Sequence, residues 1–249
     1  MRDFIRAIHW IFTASNWIQV NFNTGIRGQL AYHVELSSLA IFFAAAVAIP
    51  VGMLVGHRRR GEFVAVSVAN IGRAIPSFAI VVLLFILVGN VAPHLQFSML
   101  PTLIALVLLV IPPILTNTYV GIQSVDRDTV EAARGMGLSE WQVLLRLEMP
   151  LAAPLIMAGL RTAAVTVVAT ATLAAFVGGG GLGVFLYAGF AQQGQERVLI
   201  GGAILVAVLA ILTEVLFSGL ERLVTPRTRS AQKRKAPGPV PESRAVSTA

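Results

Sequence analysis

Residues 125–154 read "VDRDTVEAARGMGLSEWQVLLRLEMPLAAP", a polar stretch with 8 charged side chains set between two of the most hydrophobic runs of the chain. The stretch is punctuated for two short helices. Asp128 and Glu131 have the spacing of a capping box with Asp in the cap role, and Ser139 and Gln142 repeat that spacing for the second helix. Gly135 and Gly137 stand between the two, where glycine can take the left-handed conformation that ends a helix and turns the chain. Pro150 and Pro154 mark the return to apolar sequence. Ala132 and Ala133 carry side chains small enough for another protein's groove to approach the helix backbone closely. So short a helix is marginal alone, which leaves two readings: an amphipathic loop helix lying on its own bundle, or a docking surface for a partner.

The flanking sequence supplies the solvent. Of 249 residues 56% are hydrophobic and 12% charged, with a mean hydropathy of +0.77, which points to a bilayer. Cysteine is absent, which excludes disulfides, iron–sulfur ligation and thiolate zinc, and His9, His33, His57 and His94 are too dispersed to form a local ligand pair. The net charge of +7 is therefore read by position as membrane topology and not as nucleic-acid binding. Arg2 and Arg6 precede an apolar stretch interrupted by His9, Asn16 and Gln19 without a small-residue cleavage site, so the start is expected to be retained.

About 20 apolar residues cross a bilayer. Segments of that order lie near 33–56, 63–89, 98–121, 151–177 and 198–220, giving an all-α bundle of five spans. In the second, "NIGRAIPSF" at 70–78 predicts a kink or re-entrant break at Pro76, loosened by Gly72. Arg58, Arg59 and Arg60 follow the first span, Arg127, Arg134 and Arg146 the third, and seven Lys or Arg follow Glu221; these 13 of the 19 basic residues share one side, the cytoplasm. Residues 4–22, with Trp10 and Trp17, suit an interfacial helix, and a sixth span is the competing reading. Three regions result: an N-terminal interfacial segment 1–27, or an extra span, a membrane-spanning domain 28–224, and a basic cytoplasmic tail 225–249 that lacks apolar periodicity and reads as disordered.

"EAARGMG" at 131–137, followed by Met149-Pro150, resembles the EAA loop of bacterial ATP-binding-cassette importers. With "GHRRRGEF", "NIGRAIPSF", "IPPILTNTYVGI", "EMPLAAPLIMAGLRTA", "TATLAAFVGGGGLG" and "GGAILVAVLAILTE" in order, residues 28–224 resemble the permeases of quaternary-ammonium osmoprotectant importers. Arg73-Ala74 stands where that family often has Gln-Thr, and Met149 replaces a more usual leucine. The resemblance implies a type I importer permease in the bacterial cytoplasmic membrane. It implies that Glu131, Ala132, Ala133 and Gly137 form a coupling helix seated in an ATPase subunit. It implies two ATPase copies, which bind the ATP and Mg while this chain holds no cofactor, a second permease, identical or homologous, and an extracytoplasmic substrate-binding protein. The expected cargo is glycine betaine, choline, carnitine or proline.

Other residues are candidates for the pathway or its gate. "VGGGGLGV" at 177–184 lacks the Lys-Ser/Thr of a phosphate loop and follows a membrane helix; at the outer mouth it is either a tight packing turn or a gate, with Gly179 and Gly180 at its centre. Pro76, Asn117 and Arg161 complete the set of gate or pathway candidates. Arg73 and Arg161 each need water or a partner inside the bilayer, and Glu214 is the acid nearest to hand for pairing. Asn117, Thr118 and Tyr119 end the third span as inner-vestibule or interface residues, and the small residues of "AAVTVVATATLAA" read as helix packing. A secondary transporter would have only Glu214 and Glu35 as intramembrane proton carriers, and an intramembrane enzyme would lack nucleophile, base and metal ligands. Another importer cargo, such as methionine, taurine or nitrate, is the remaining alternative.

Overall fold

The computed structural model describes residues 2–18, 25–59, 67 and 74–224. Among them every regular element is helical. The order is α1 (Arg2–Phe12), α2 (Ala14–Ile18), α3 (Ile26–Arg58), α4 (Ser77–Val91), α5 (Leu100–Gln123), α6 (Arg127–Gly135), α7 (Glu140–Val143), α8 (Met149–Thr170), α9 (Gly183–Ala191) and α10 (Glu196–Val224). A π turn, Leu144–Glu148, joins α7 to α8, and the 3₁₀ segment Ala171–Val177 continues α8.

Four helices are long and apolar enough to cross a membrane, and the shorter apolar α4 stands beside them. At 1.5 Å per residue the 33 residues of α3 reach about 50 Å and the 24 of α5 about 36 Å. The bundle is centred on α3, α5 and α8. Leu36, Ala40, Ala44, Ala48, Gly52 and Gly56 recur every fourth residue along α3, so one ridge of mostly small side chains faces its neighbours. Leu106, Val110 and Ile114 of α5 and Ala163 and Val167 of α8 pack with this ridge. Lipid tails are as apolar as leucine, so close van der Waals approach must hold such helices together. That approach is tight: a Cβ on Gly56 would lie 2.7 Å from Ile122 Cβ, and one on Gly159 2.7 Å from Asn117 Cβ.

The prolines follow their backbone chemistry. Pro101 and Pro150 sit in first turns, where a missing N–H costs nothing, while Pro50, Pro112, Pro113 and Pro154 lie inside helices. Below Pro113, Asn117 Nδ2 donates to Pro113 O at 2.8 Å and Thr118 Oγ1 to Ile114 O at 2.8 Å, so polar side chains serve carbonyls of their own helix.

Several expectations change on contact with the structure. The fourth span, expected to run evenly over 151–177, begins at Met149 and tightens to 3₁₀ geometry from Ala171. Helix α9, between the fourth and fifth spans, was not expected at all; Phe185 anchors it with Leu182 against Trp10, Ile26 and Val198. The segment near the start forms two short helices, and the 11 residues of α1 reach about 16 Å, too short to cross. Trp10 meets the ring of Phe185 edge-on at 5.3 Å and lies over Gly201, which ties α1 to the outer end of α10. Pro76 stands immediately before α4, at the expected break. Gly72, Arg73, Arg60, the first part of the second span and the tail 225–249 lie outside the described residues.

Candidate coupling surface and outer loop

The helix α6 is built by its ends. Its cap is Asp126, two residues before the expected Asp128: the Asp126 carboxylate accepts from the N–H of Asp128 at 2.7 Å and of Thr129 at 3.3 Å. The correction has a local reason, since an Asx side chain reaches the N–H groups two and three residues on, and the extended backbone of Asp126 aims it at both. At the other end Gly137 N–H donates to Arg134 O at 2.9 Å and Leu138 N–H to Ala133 O at 3.2 Å, the paired bonds of a Schellman stop. Gly137 carries the required left-handed φ of +89°, whereas Gly135 remains helical. For α7, Ser139 and Gln142 form the expected capping box, with Ser139 N–H donating to Gln142 Oε1 at 2.9 Å.

The two faces of α6 differ. Val130 and Ala133 pack inward with Val125 and Val143, and Leu138 covers them. Glu131, Ala132 and Gly137 face outward with Met136, 75% exposed, and Trp141 on α7, 63% exposed. Of the four expected coupling residues, Ala133 is thus an interior residue that lets α6 lie close to its own bundle, and the other three are on the free face. Met136 and Trp141 were not singled out from the sequence. Two large apolar side chains are thus exposed on neighbouring short helices.

A polar relay underlies this face. His57, at the end of α3, lies 2.6 Å through Nδ1 from Glu148 Oε2 and 3.0 Å through Nε2 from Glu140 Oε2. Arg134 Nη2 donates to the same Glu140 oxygen at 2.9 Å. That hydrogen bond pushes the Arg134 guanidinium above its ordinary value. Glu148 is 2% exposed and sits in the π turn, the rare geometry that often marks functional positions. Arg59 also donates, to Val125 O at 3.2 Å, from a left-handed backbone with φ of 48°.

At the outer end the glycine-rich loop is clamped. Gln29 Oε1 accepts from Gly181 N–H at 2.7 Å, and His33 Nδ1 accepts from Leu182 N–H at 3.2 Å. The same buried ring reaches Val168 O with Nε2 at 2.9 Å, so it is the neutral tautomer carrying its proton on Nε2. Gly181, at φ of +98°, lies against His33, and a Cβ on Gly180 would come 3.1 Å from the Tyr32 ring. Gly179 and Gly180 are therefore in a packed turn seated on α3.

The remaining candidates separate. Asn117 lies at the α5–α8 contact opposite Gly159, and Pro76 is exposed before α4. Arg161 reaches Glu221 at 3.3 Å and Glu214 at 3.6 Å, both on α10, so the expected pairing extends to a second acid. These three are not brought together with the outer loop.

Comparison with known proteins follows this geometry. Residues 48–230 match the family described as the inner membrane component of binding-protein-dependent transport systems. The chain belongs to this family. Curated relatives include the glycine betaine/carnitine/choline transport system permease protein OpuCB of Bacillus subtilis, 35% identical over 83% of this chain and 93% of its own length. The carnitine transport permease protein OpuCB of Listeria monocytogenes is 38% identical over 78% of this chain and 86% of that one. The osmoprotectant import permease protein OsmW of Salmonella typhimurium is 33% identical over 82% and 94%. Among solved structures, the inward-facing MetNI methionine transporter gives a TM-score of 0.70 at 22% identity, covering 81% of this chain and 96% of that one.

The permease is thus a multi-pass membrane protein of type I importer fold and not an enzyme, as the sequence resemblance implied. Membership also brings an ATPase and a substrate-binding protein as partners. Neither His57–Glu148 nor His33–Leu182 was legible beforehand, because the partners are 91 and 149 residues apart and share no motif.

Proposed function

We propose that this permease carries osmoprotectants, the quaternary ammonium compounds glycine betaine, choline or carnitine, or the imino acid proline, into the cell by alternating access driven by a separate ATPase. The observation that carries the coupling half of this reading is the free face of α6 and α7. Glu131, Ala132 and Gly137 lie there beside exposed Met136 and Trp141, while Val130 and Ala133 fasten the helix to the bundle. A helix held by its inner face and bare on its outer face suits a groove in the ATPase. Two permeases, identical or homologous, enclose the pathway, and two ATPase copies hold the ATP and Mg. Closure of the ATPase pair moves α6, and the continuous α7, π turn and α8 carry the shift to the spans.

The cargo half is supported by relatives named as osmoprotectant permeases that align over most of their own length. The tail of basic residues keeps the carboxyl end on the ATPase side. Uptake of radiolabelled betaine, choline, carnitine and proline by cells holding the complete transporter tests the cargo. Accumulation of one of them that stops when ATP is depleted is expected; uptake only of methionine, taurine or nitrate overturns the osmoprotectant reading. Transport by the permease isolated without any ATPase overturns the coupling.

A further inference from the structure

We infer that His57 is a positioning residue for transport, a latch that ties the end of α3 to the segment α6–α8, so that α3 moves with α6 and α8. This rests on the reading that α6 docks on the ATPase. The obvious mechanical route runs along the chain from α7 through the π turn into α8. It leaves out α3, which is the central helix of the bundle yet is remote in sequence from the coupling segment.

His57 supplies the missing link. Its ring lies between Glu148 at the root of α8 and Glu140 on α7, and Glu140 in turn holds Arg134 near the end of α6. One imidazole therefore gathers three elements onto the end of α3. An imidazole flanked by two carboxylates satisfies both only if the group holds one proton more than a neutral ring with two carboxylates. With that proton both contacts are charge-assisted; without it one carboxylate faces a bare ring nitrogen and the latch opens on that side. The buried partner, Glu148, has few alternatives, whereas Glu140 is 61% exposed on its side chain and keeps Arg134.

The surrounding charge is mixed. Among the described residues, Arg58 and Arg59 of α3 and Arg127 and Glu131 of α6 face the same cleft of about 300 Å³, together with Arg134 and Glu148. Arg134 holds the Glu140 carboxylate whether or not the ring donates to it, so Glu140 is the side on which the latch can open. Of these side-chain types, histidine is the one whose ordinary titration lies between about pH 5 and about pH 8.

The test uses the whole transporter in proteoliposomes, with ATPase and binding protein, and reads substrate imported per ATP hydrolysed across that pH range. In the wild type the ratio is expected to fall as pH rises. His57→Gln should lower it about tenfold at the acidic end, the factor that one charge-assisted hydrogen bond is worth, while ATP hydrolysis and subunit assembly persist. Glu148→Gln separates a latch from simple support. A carboxamide can accept from a charged ring or donate to a neutral one, so the ratio in this variant should stay level with pH. A wild-type ratio in His57→Gln, or an unchanged pH slope in Glu148→Gln, overturns the latch while leaving the docking reading intact. Failure of the wild-type permease to retain the ATPase overturns both.

Discussion

Loosening the outer loop tests whether its glycines form a gate or a seated turn. His33→Ala removes the acceptor of Leu182 N–H and the donor to Val168 O, both buried. Each lost buried hydrogen bond costs about 1 to 3 kcal/mol. Taking the low end for both gives about 2 kcal/mol, which converts to about a 30-fold rise in the open population of the loop. The chain has no cysteine, so Leu182→Cys places a single thiol at a position that is fully buried in the seated loop. Maleimide labelling of that thiol in the purified complex should therefore accelerate about 30-fold when His33→Ala is added. The two half-replacements sharpen the result. Asparagine can present an oxygen near the place of Nδ1 and keep the Leu182 bond, whereas glutamine can present an N–H near the place of Nε2 and keep the Val168 bond. Each should fall between the parent and the alanine variant. Equal labelling rates for His33→Ala and its parent would refute the His33 half of the clamp and leave the loop held by Gln29, Tyr32 and backbone packing.

Other expectations follow from single contacts. Space beside Gly137 is open, so Gly137→Ala should cost about 1 to 2 kcal/mol through its left-handed backbone alone; Gly137→Asn should recover much of that in thermal unfolding, yet weaken ATPase co-purification if the partner needs a bare backbone there. Trp10→Ala removes the ring set on Phe185 and Gly201 and should cost about 3 to 5 kcal/mol, read as faster hydrogen exchange in α1 and at the outer end of α10 with the inner bundle unchanged. Arg161→Gln leaves Glu214 and Glu221 facing each other's charge without their shared cation; uptake in intact complexes should fall, Arg161→Lys should restore it in part, and full uptake by Arg161→Gln removes any pathway role for that residue.

The legible part of this protein was local or periodic. Uncharged runs gave the spans, Arg58, Arg134 and Arg222 among others gave the orientation, and Ser139 with Gln142 gave a cap, because each depends on neighbours within a turn or on transfer from water to lipid. Local reasoning failed where two local partners competed: Asp126 and Asp128 both offer a capping carboxylate, and only the backbone angles at Asp126 choose between them. Nor did the sequence say that Ala133 turns inward, since a short amphipathic helix does not declare which of its small residues is buried until Val125 and Val143 are placed beneath it.

By itself the sequence determined that the chain is a helical membrane bundle with a charged, helix-punctuated segment between two apolar runs, since hydropathy and capping act on each segment independently of its neighbours. Only the tertiary structure decided that Met136 and Trp141 stand free, that Gln29 and His33 seat the outer glycines, and that His57 joins Glu148 to Glu140. Those pairings depend on which helix faces lie against one another, and that follows from the fit of the small-residue ridge of α3 against the larger side chains of α5 and the Ala163 and Val167 face of α8, a property of several segments at once.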